Sequence, residues 1–552
     1  MTGAAEPESG RAGAWRRRLA DYIAPALVLL AIIVPFLRYH GYSLLLPESL
    51  ILMGGAAFAG LIVGALARFR PATLGPALMA LTLCVYIIYR PEIVDLLPGI
   101  ALTLEEAVGN AAAALGALGV GLFLVLCLLC WLLRQHLGTI VAAIFGTIIL
   151  SSVLLPVSGD GKTAEAGALP QKLNNLPPVV HLILDEHIGL AGLPPELPES
   201  AEAARIIEAN FADFALYNRA FSRFAETRFS LGSLMNNGVG TDVVKLLDDE
   251  EIGFTLKENV WFDRLKEMGY AVRVYQSAWL DMCSESASVD SCYTYPLYSP
   301  DSVQRSSLSL GERLQVLLAR ILIGQGLPGI GALASADALD RFRSDLEQAP
   351  QGVAYILHLL IPHDGYLYRS DCTIADPGEW KAASRTRRIP ADRRTELYRL
   401  YLQQLICTQR KVGEVLDELK KLGVYDKATI IVHGDHGSRI GERPYIQASP
   451  AELDQTDLID HFATLLAAKF PGNIPGIRDE PTALQDFFAR TFLDGAEAEP
   501  AAPETVLLLE KVTQAFATFT LRWPGTEYAA PPTAKDRMEA TLELDSLRRG
   551  QN

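Results

Sequence analysis

Three apolar runs of this chain end in groups able to do chemistry. VVHLILD closes on Asp185 and is followed by Glu186; VAYILHLLIP is followed by His363 and Asp364; ATIIVHGD closes on Asp435 and is followed by His436. Carboxylates combined with imidazole are the donor set of a catalytic divalent ion. Nitrogen donors match zinc or manganese best, with magnesium and calcium as the other readings. Such a site also needs an attacking group, and FAETRFSLGSLMNNG offers Thr227 just ahead of a small and apolar pattern that can begin a helix at about Arg228. A hydroxyl there would meet both the positive helix end and the ion, which lowers its pKa. Taken singly each group has a plain alternative: an Asp after a strand or Thr227 serves as an N-cap, and a His in HGDHG serves a turn. Their recurrence at equivalent places favours chemistry.

These groups need strands to present them. The runs at 179–185, 271–277, 353–362 and 428–435 are nearly continuous in apolar residues, the pattern of strands buried on both faces. Amphipathic patterns lie between them, at 261–270 and at 395–423, the latter ending in a Gly suited to a C-cap. The alternation predicts an α/β domain with a mainly parallel sheet between helices, whose sites form at the carboxyl ends of its strands.

The 552-residue chain is half hydrophobic and carries a net charge of −15. The apolar content excludes a disordered chain, and the acidity argues against nucleic acid as a partner. Residues 1–155 hold nearly balanced charge, so the acidic excess lies beyond them. Within them, five apolar runs, at about 21–37, 49–67, 73–89, 111–133 and 137–155, are each long enough to cross a bilayer. Arg16, Arg17 and Arg18, then Arg68 and Arg70, then Arg134 mark alternate ends of the runs. By the retention of positive charge in the cytoplasm, the amino terminus lies inside and everything after residue 155 outside. Four cysteines fall in the exported part, and pairing Cys283 with Cys292 and Cys372 with Cys407 suits a disulfide-permissive compartment. The division is a membrane domain at 1–155, a linker at 156–178, a catalytic domain at 179–490 and a C-terminal extension at 491–552.

Four ordered blocks, VVHLILDEHIG, FSRFAETRFSLGSLMNNG, YILHLLIPHDGYLY and GVYDKATIIVHGDHGSRIGE, resemble the alkaline phosphatase and sulfatase superfamily. Five spans ahead of an exported catalytic domain are similar in layout to the lipid A phosphoethanolamine transferases and lipoteichoic acid synthases. The resemblance implies an extracytoplasmic alkaline-phosphatase-like domain in which Asp185 binds metal, with Glu186 as a second ligand. It implies that Thr227 is the nucleophile and itself metal-bound, that Asp435 and His436 complete the site, and that His363 contacts the leaving group or phosphate. His358 reads as structural. The C/S-x-P-x-R motif of sulfatases is replaced by Thr227, Arg228, Phe229, Ser230 and Leu231, with no oxidisable nucleophile, no Pro and no Arg in place. The pair Asp185-Glu186, where the transferases usually show a single Glu, leaves one metal or two open.

The expected activity is a metal-dependent transfer of a phosphoryl-linked head group from a phospholipid donor to a cell-envelope glycan or lipid, through a phosphothreonine. It would take place at a bacterial inner membrane, with the catalytic domain periplasmic or extracellular. The rival readings are a membrane-anchored phosphodiesterase or sulfuric-ester hydrolase, and a catalytically degenerate structural protein. Segments 281–345 and 366–394 are the expected specificity loops, read as irregular. The amphipathic run at 506–523 packs on the domain or lies on the bilayer surface.

Overall fold

The computed structural model describes residues 8–69, 75, 78–81, 111–133, 136–155, 163–238, 240–249, 253–323, 330–382, 388–443, 453–493, 504–510, 515–523 and 542–543. They fall into two units, Met1–Gly161 and Lys162–Asn552.

In the first unit the described helices are α1 (Glu8–Tyr39), α2 (Pro47–Phe69), α3 (Ala111–Leu132) and α4 (Leu137–Leu154). Three apolar segments, Leu19–Tyr39, Pro47–Leu66 and Leu137–Leu154, are long enough to cross a membrane. They coincide with the first, second and fifth expected spans. The fourth is the helix α3, and most of the third, at 73–89, lies outside the described residues. Close approach of α1 and α2 depends on small residues: a Cβ on Gly60 would sit 2.3 Å from Ala26 Cα, and one on Gly64 2.1 Å from Tyr22 O. Helices in lipid gain their attraction from this kind of backbone proximity.

In the second unit nine described strands form one sheet in the order β1-β5-β4-β6-β2-β7-β8-β3-β9. They are β1 (Ala164–Gly167), β2 (Val179–Leu184), β3 (Ala215–Tyr217), β4 (Ala271–Ser277), β5 (Ser291–Tyr295), β6 (Val353–Leu359), β7 (Thr429–Gly434), β8 (Leu466–Lys469) and β9 (Gly476–Arg478). The middle, from β5 through β7, is parallel, and both β2 and β6 are buried along their whole length. Helices on both faces produce this burial. Val260–Glu267 is α6, Ile330–Gln348 is α7, and Ala391–Lys421 is α8. Along α8 a stripe of Leu397, Tyr401, Leu405, Val412, Leu416 and Leu419 is buried, the 3-to-4 spacing of a helix packed on one side.

Three expectations change in detail. Within the stretch read as a linker, residues 164–167 form the edge strand β1, antiparallel to β5. The segment 281–345 is largely helical rather than irregular, carrying Pro300–Arg305, Leu310–Ile323 and the start of α7. Its charged residues made it read as loop, but they are the solvent face of amphipathic helices. The run at 506–523 supplies two antiparallel strands, β10 (Thr505–Glu510) and β11 (Ala515–Thr520). These strands pack on the domain, Phe516 against Phe224 and Phe229. Both cysteine pairs form disulfides, Cys283–Cys292 and Cys372–Cys407.

Candidate functional site

Sheet register brings the chemical groups to one edge. Leu184 of β2 pairs with Leu359 of β6 on one side and Gly434 of β7 on the other, so all three strands end at the same level. The ladder continues one residue further, Asp185 N donating to Leu359 O at 2.9 Å. The chain then turns sharply, with Glu186 in the left-handed region at φ 63°. Tyr401 on α8 holds this turn by donating to Glu186 O at 2.7 Å and accepting from Ile188 N at 2.9 Å.

Across the strand gap, Asp435 Oδ1 accepts from the backbone N–H of both Glu186 and His436, each at 3.0 Å. The helix α5 (Thr227–Met235) is tied to the same strand end, Ser230 Oγ donating to Asp435 O at 2.6 Å. Glu226, not Thr227, occupies the N-cap position, so Thr227 stands in the first turn with its hydroxyl 3.2 Å from His436 Nε2. His436 Nδ1 lies 2.9 Å from Gly437 O, which assigns the proton to Nδ1 and leaves the Nε2 lone pair facing the site.

His363 follows Pro362 on a loop fastened from α8. Gln404 Oε1 accepts from Leu367 N and Tyr368 N at 2.9 and 3.2 Å, and its Nε2 donates to His363 O at 2.8 Å. Asp364 N donates to Glu186 Oε2 at 3.0 Å, joining this loop to the turn after β2. His363 Nε2 stands 3.6 Å from Glu186 Oε1, and its side chain is partly exposed.

The structure therefore brings Asp185, Glu186, Thr227, His363, Asp435 and His436 to one sheet edge. It adds three residues. His358 Nε2 lies 3.5 Å from Asp185 Oδ2. Arg439, also left-handed at φ 56°, places its guanidinium against Glu186 and His436. Gln404 positions the His363 loop. A histidine in a doubly buried strand was the available signal for His358, but it is ambiguous. His181 on β2 and His433 on β7 are equally buried and pair with each other, Nε2 to Nε2 at 2.7 Å.

Two groups of donors lie close enough to hold an ion: Asp185, His358 and Asp435, and Asp185, Glu186 and His363. The residues fit a cation by a further sign. Asp185 Oδ1, Asp435 Oδ2 and both ring nitrogens of His358 are buried without a hydrogen-bond partner. Buried acceptors left so are costly, and a cation is the partner this donor set suits. Burial and the Asp435 carboxylate push the Asp185 carboxyl up, but the imidazoles of His363, His358 and His436 outweigh them and leave it below its usual value. Asp435 is likewise raised by burial and lowered further by His436, His358 and Arg439, ending well below the usual carboxylate range. Both are carboxylates at neutral pH, as metal ligands must be.

Residues 231–498 match the Sulfatase family model and lie within the alkaline-phosphatase-like α/β domain, whose strands β1 to β3 precede them. The match contains His358, His363, Asp435 and His436 and begins just after Thr227. No curated protein sequence matches the chain. Among solved structures the chain is similar to the phosphonate monoester hydrolase of Agrobacterium radiobacter, at 14% identity and TM-score 0.41 over 68% of this chain and 94% of that one. It is also similar to the lipoteichoic acid synthase LtaP from Listeria monocytogenes, at 12% identity and TM-score 0.38 over 70% and 95%.

Proposed function

From the premise of a sulfatase-family domain of the alkaline phosphatase superfamily, behind apolar amino-terminal helices, we propose a metal-dependent transferase. It moves a phosphoryl-linked head group from a phospholipid donor to a cell-envelope glycan or lipid. The observation that carries this reading is Thr227 itself: a buried hydroxyl in the first turn of α5, 3.2 Å from His436 Nε2 and beside orphaned carboxylate oxygens. A threonine has no route to the oxidised aldehyde nucleophile of sulfatases, so the position favours direct attack on phosphorus.

Asp185, Glu186, His358, Asp435 and His436 would hold the divalent ion, zinc or manganese by donor type. Such an ion supplies a lowered pKa for a neighbouring hydroxyl and neutralises charge on a phosphoryl group. Thr227 Oγ, having released its proton to solvent, attacks phosphorus; the P–Oγ bond forms as the bond to the diacylglycerol oxygen breaks. His363, the partly exposed imidazole of the site, gives its proton to that departing oxygen. A glycan or lipid hydroxyl then attacks the phosphothreonine, His363 taking its proton, and Thr227 is regenerated. An anchor in the membrane, with the domain on its outer side, keeps this site near a lipid donor at high effective concentration.

The test is a mass spectrum of the full-length protein incubated with phospholipid donors. A phosphoryl-linked adduct on Thr227, absent from Thr227→Ala, is expected; an unmodified Thr227 under conditions of turnover would sink the reading. Labelled product appearing on a glycan or lipid rather than as free head group separates transfer from hydrolysis.

A further inference from the structure

Ser230 lies three residues beyond Thr227 on α5, and residues three apart share a face of a helix. Both reach the same dipeptide: Thr227 Oγ1 meets His436 Nε2 at 3.2 Å, and Ser230 Oγ donates to Asp435 O at 2.6 Å. A hydroxyl carries one proton, so Ser230 Oγ, having given its own to Asp435, accepts from Ser222 Oγ 2.8 Å away. Ser222 Oγ in turn accepts from Gln485 Nε2 and from Phe224 N, each at 3.2 Å. Gln485 Oε1 accepts from Arg223 N at 3.0 Å, which settles the orientation of the amide. Its Nε2 also lies 3.3 Å from Ser230 Oγ. Donors therefore run one way, from Gln485 through Ser222 and Ser230 to the carbonyl of Asp435.

This chain joins the helix Leu484–Phe492, the residue after the strand Ala220–Phe221, α5 and the end of β7. Gln485, Ser222 and Ser230 are all fully buried. Holding α5 against the domain does not require them, because Leu231, Leu234 and Met235 already pack with Leu484, Phe487 and Phe488 in one apolar cluster. Ser233 on the same helix is as deeply buried, and its hydroxyl makes no hydrogen bond among the described residues. Apolar packing presses a helix onto its neighbours but specifies its rotation poorly, whereas directional bonds fix it. A rotation of about 20° carries an atom roughly 5 Å from the helix axis through nearly 2 Å. A displacement of about 1 Å already costs on the order of a hundredfold in rate.

We propose that Gln485 is a positioning residue, acting through Ser222 and Ser230 to fix the rotation of α5 at which the Thr227 hydroxyl faces the reacting phosphorus. This rests on the reading of Thr227 as nucleophile.

The experiment follows single-turnover formation of the Thr227 adduct by quenched mass spectrometry. It uses the full-length, metal-loaded protein in detergent, with mixed micelles of phosphatidylethanolamine and phosphatidylglycerol as donors. Wild type is compared with Gln485→Met, Ser222→Ala, the double variant and Ser233→Ala, and metal content is measured on each. The maximal rate is expected to fall roughly thirtyfold in Gln485→Met and about tenfold in Ser222→Ala, with metal content and the donor concentration at half-maximal rate within about twofold of wild type. The double variant should stay within about threefold of Gln485→Met, because both changes cut one chain. Ser233→Ala should match wild type within about twofold. Wild-type rates in both single variants, multiplied losses in the double variant, an equal loss in Ser233→Ala, or a loss that follows the metal would each overturn the proposal. Should Gln485→Met not fold, a wild-type rate in Ser222→Ala does the same. Variants as fast as a wild type that forms the adduct remove the relay and leave the nucleophile standing; an unmodified Thr227 in wild type removes both.

Discussion

The backbone N–H of Glu186 donates to Asp435 Oδ1 at 3.0 Å, so the carboxylate at the end of β7 fixes the turn at the end of β2, while its other oxygen makes no hydrogen bond and lies 3.1 Å from His436 Nε2. One oxygen is spent on architecture and the other faces the candidate cation site. Asp435→Asn keeps an acceptor for the two N–H groups and loses the charge. We expect a folded protein whose metal content after dialysis falls at least about tenfold, measured by plasma mass spectrometry. Full retention of metal would remove Asp435 from the ligand set.

Thr227→Ala removes a buried hydroxyl with little change in volume. It should cost about 1 kcal/mol of stability and reduce transfer to the level of the uncatalysed background. Thr227→Ser should retain measurable turnover. Product assays on both, beside a thermal melt, check this, and turnover by Thr227→Ala near the wild-type rate would contradict it.

Gln404 makes hydrogen bonds to both arms of the His363 loop from a fully buried position. Gln404→Leu leaves those backbone groups unpaired and frees the loop. The expected result is a fall in kcat of about a hundredfold, the scale of a misplaced catalytic group, with metal content intact. A change confined to melting temperature, with kcat unaltered, would make Gln404 merely structural.

Burial pushes the imidazoles of His187, His433 and His461 down to about 4. In the unfolded chain they return to about 6.5 and bind protons that the folded chain refuses. Their contribution to stability is therefore full above pH 6.5 and is lost as pH falls toward 4, by up to roughly 3 kcal/mol per histidine. Denaturant melts from pH 7.5 to 4.5 should show this decline. A flat profile would mean that these rings are protonated in the fold.

The two disulfides close loops of 9 and 35 residues. On loop entropy, removing Cys372–Cys407 as a Ser pair should cost about 4 kcal/mol, and removing Cys283–Cys292 about 2.5. Equal losses in the two melts would show that chain entropy does not govern them.

The strands, the helix at Thr227 and the convergence of the six candidate residues were legible because each lies in or beside a local pattern: an apolar run ending in Asp, or a Thr opening a helix. His358 was not, because its strand holds it in the same apolar setting as His181 and His433, and only the register decides which imidazole meets Asp185. Arg439 and Gln404 were hidden for a related reason. One acts through a left-handed backbone and the other through main-chain groups, neither of which leaves a signature in residue type.

Asp185 and Asp435 are neighbours in space but distant along the chain, Glu186 and Asp435 being separated by 249 residues. At synthesis rates of about 5 to 20 residues per second, that separation is roughly 10 to 50 seconds during which one half of the cation site exists and the other has yet to be made. An ion held between Asp185, His358 and Asp435 would therefore be enclosed only after β7 had joined β2, late in assembly.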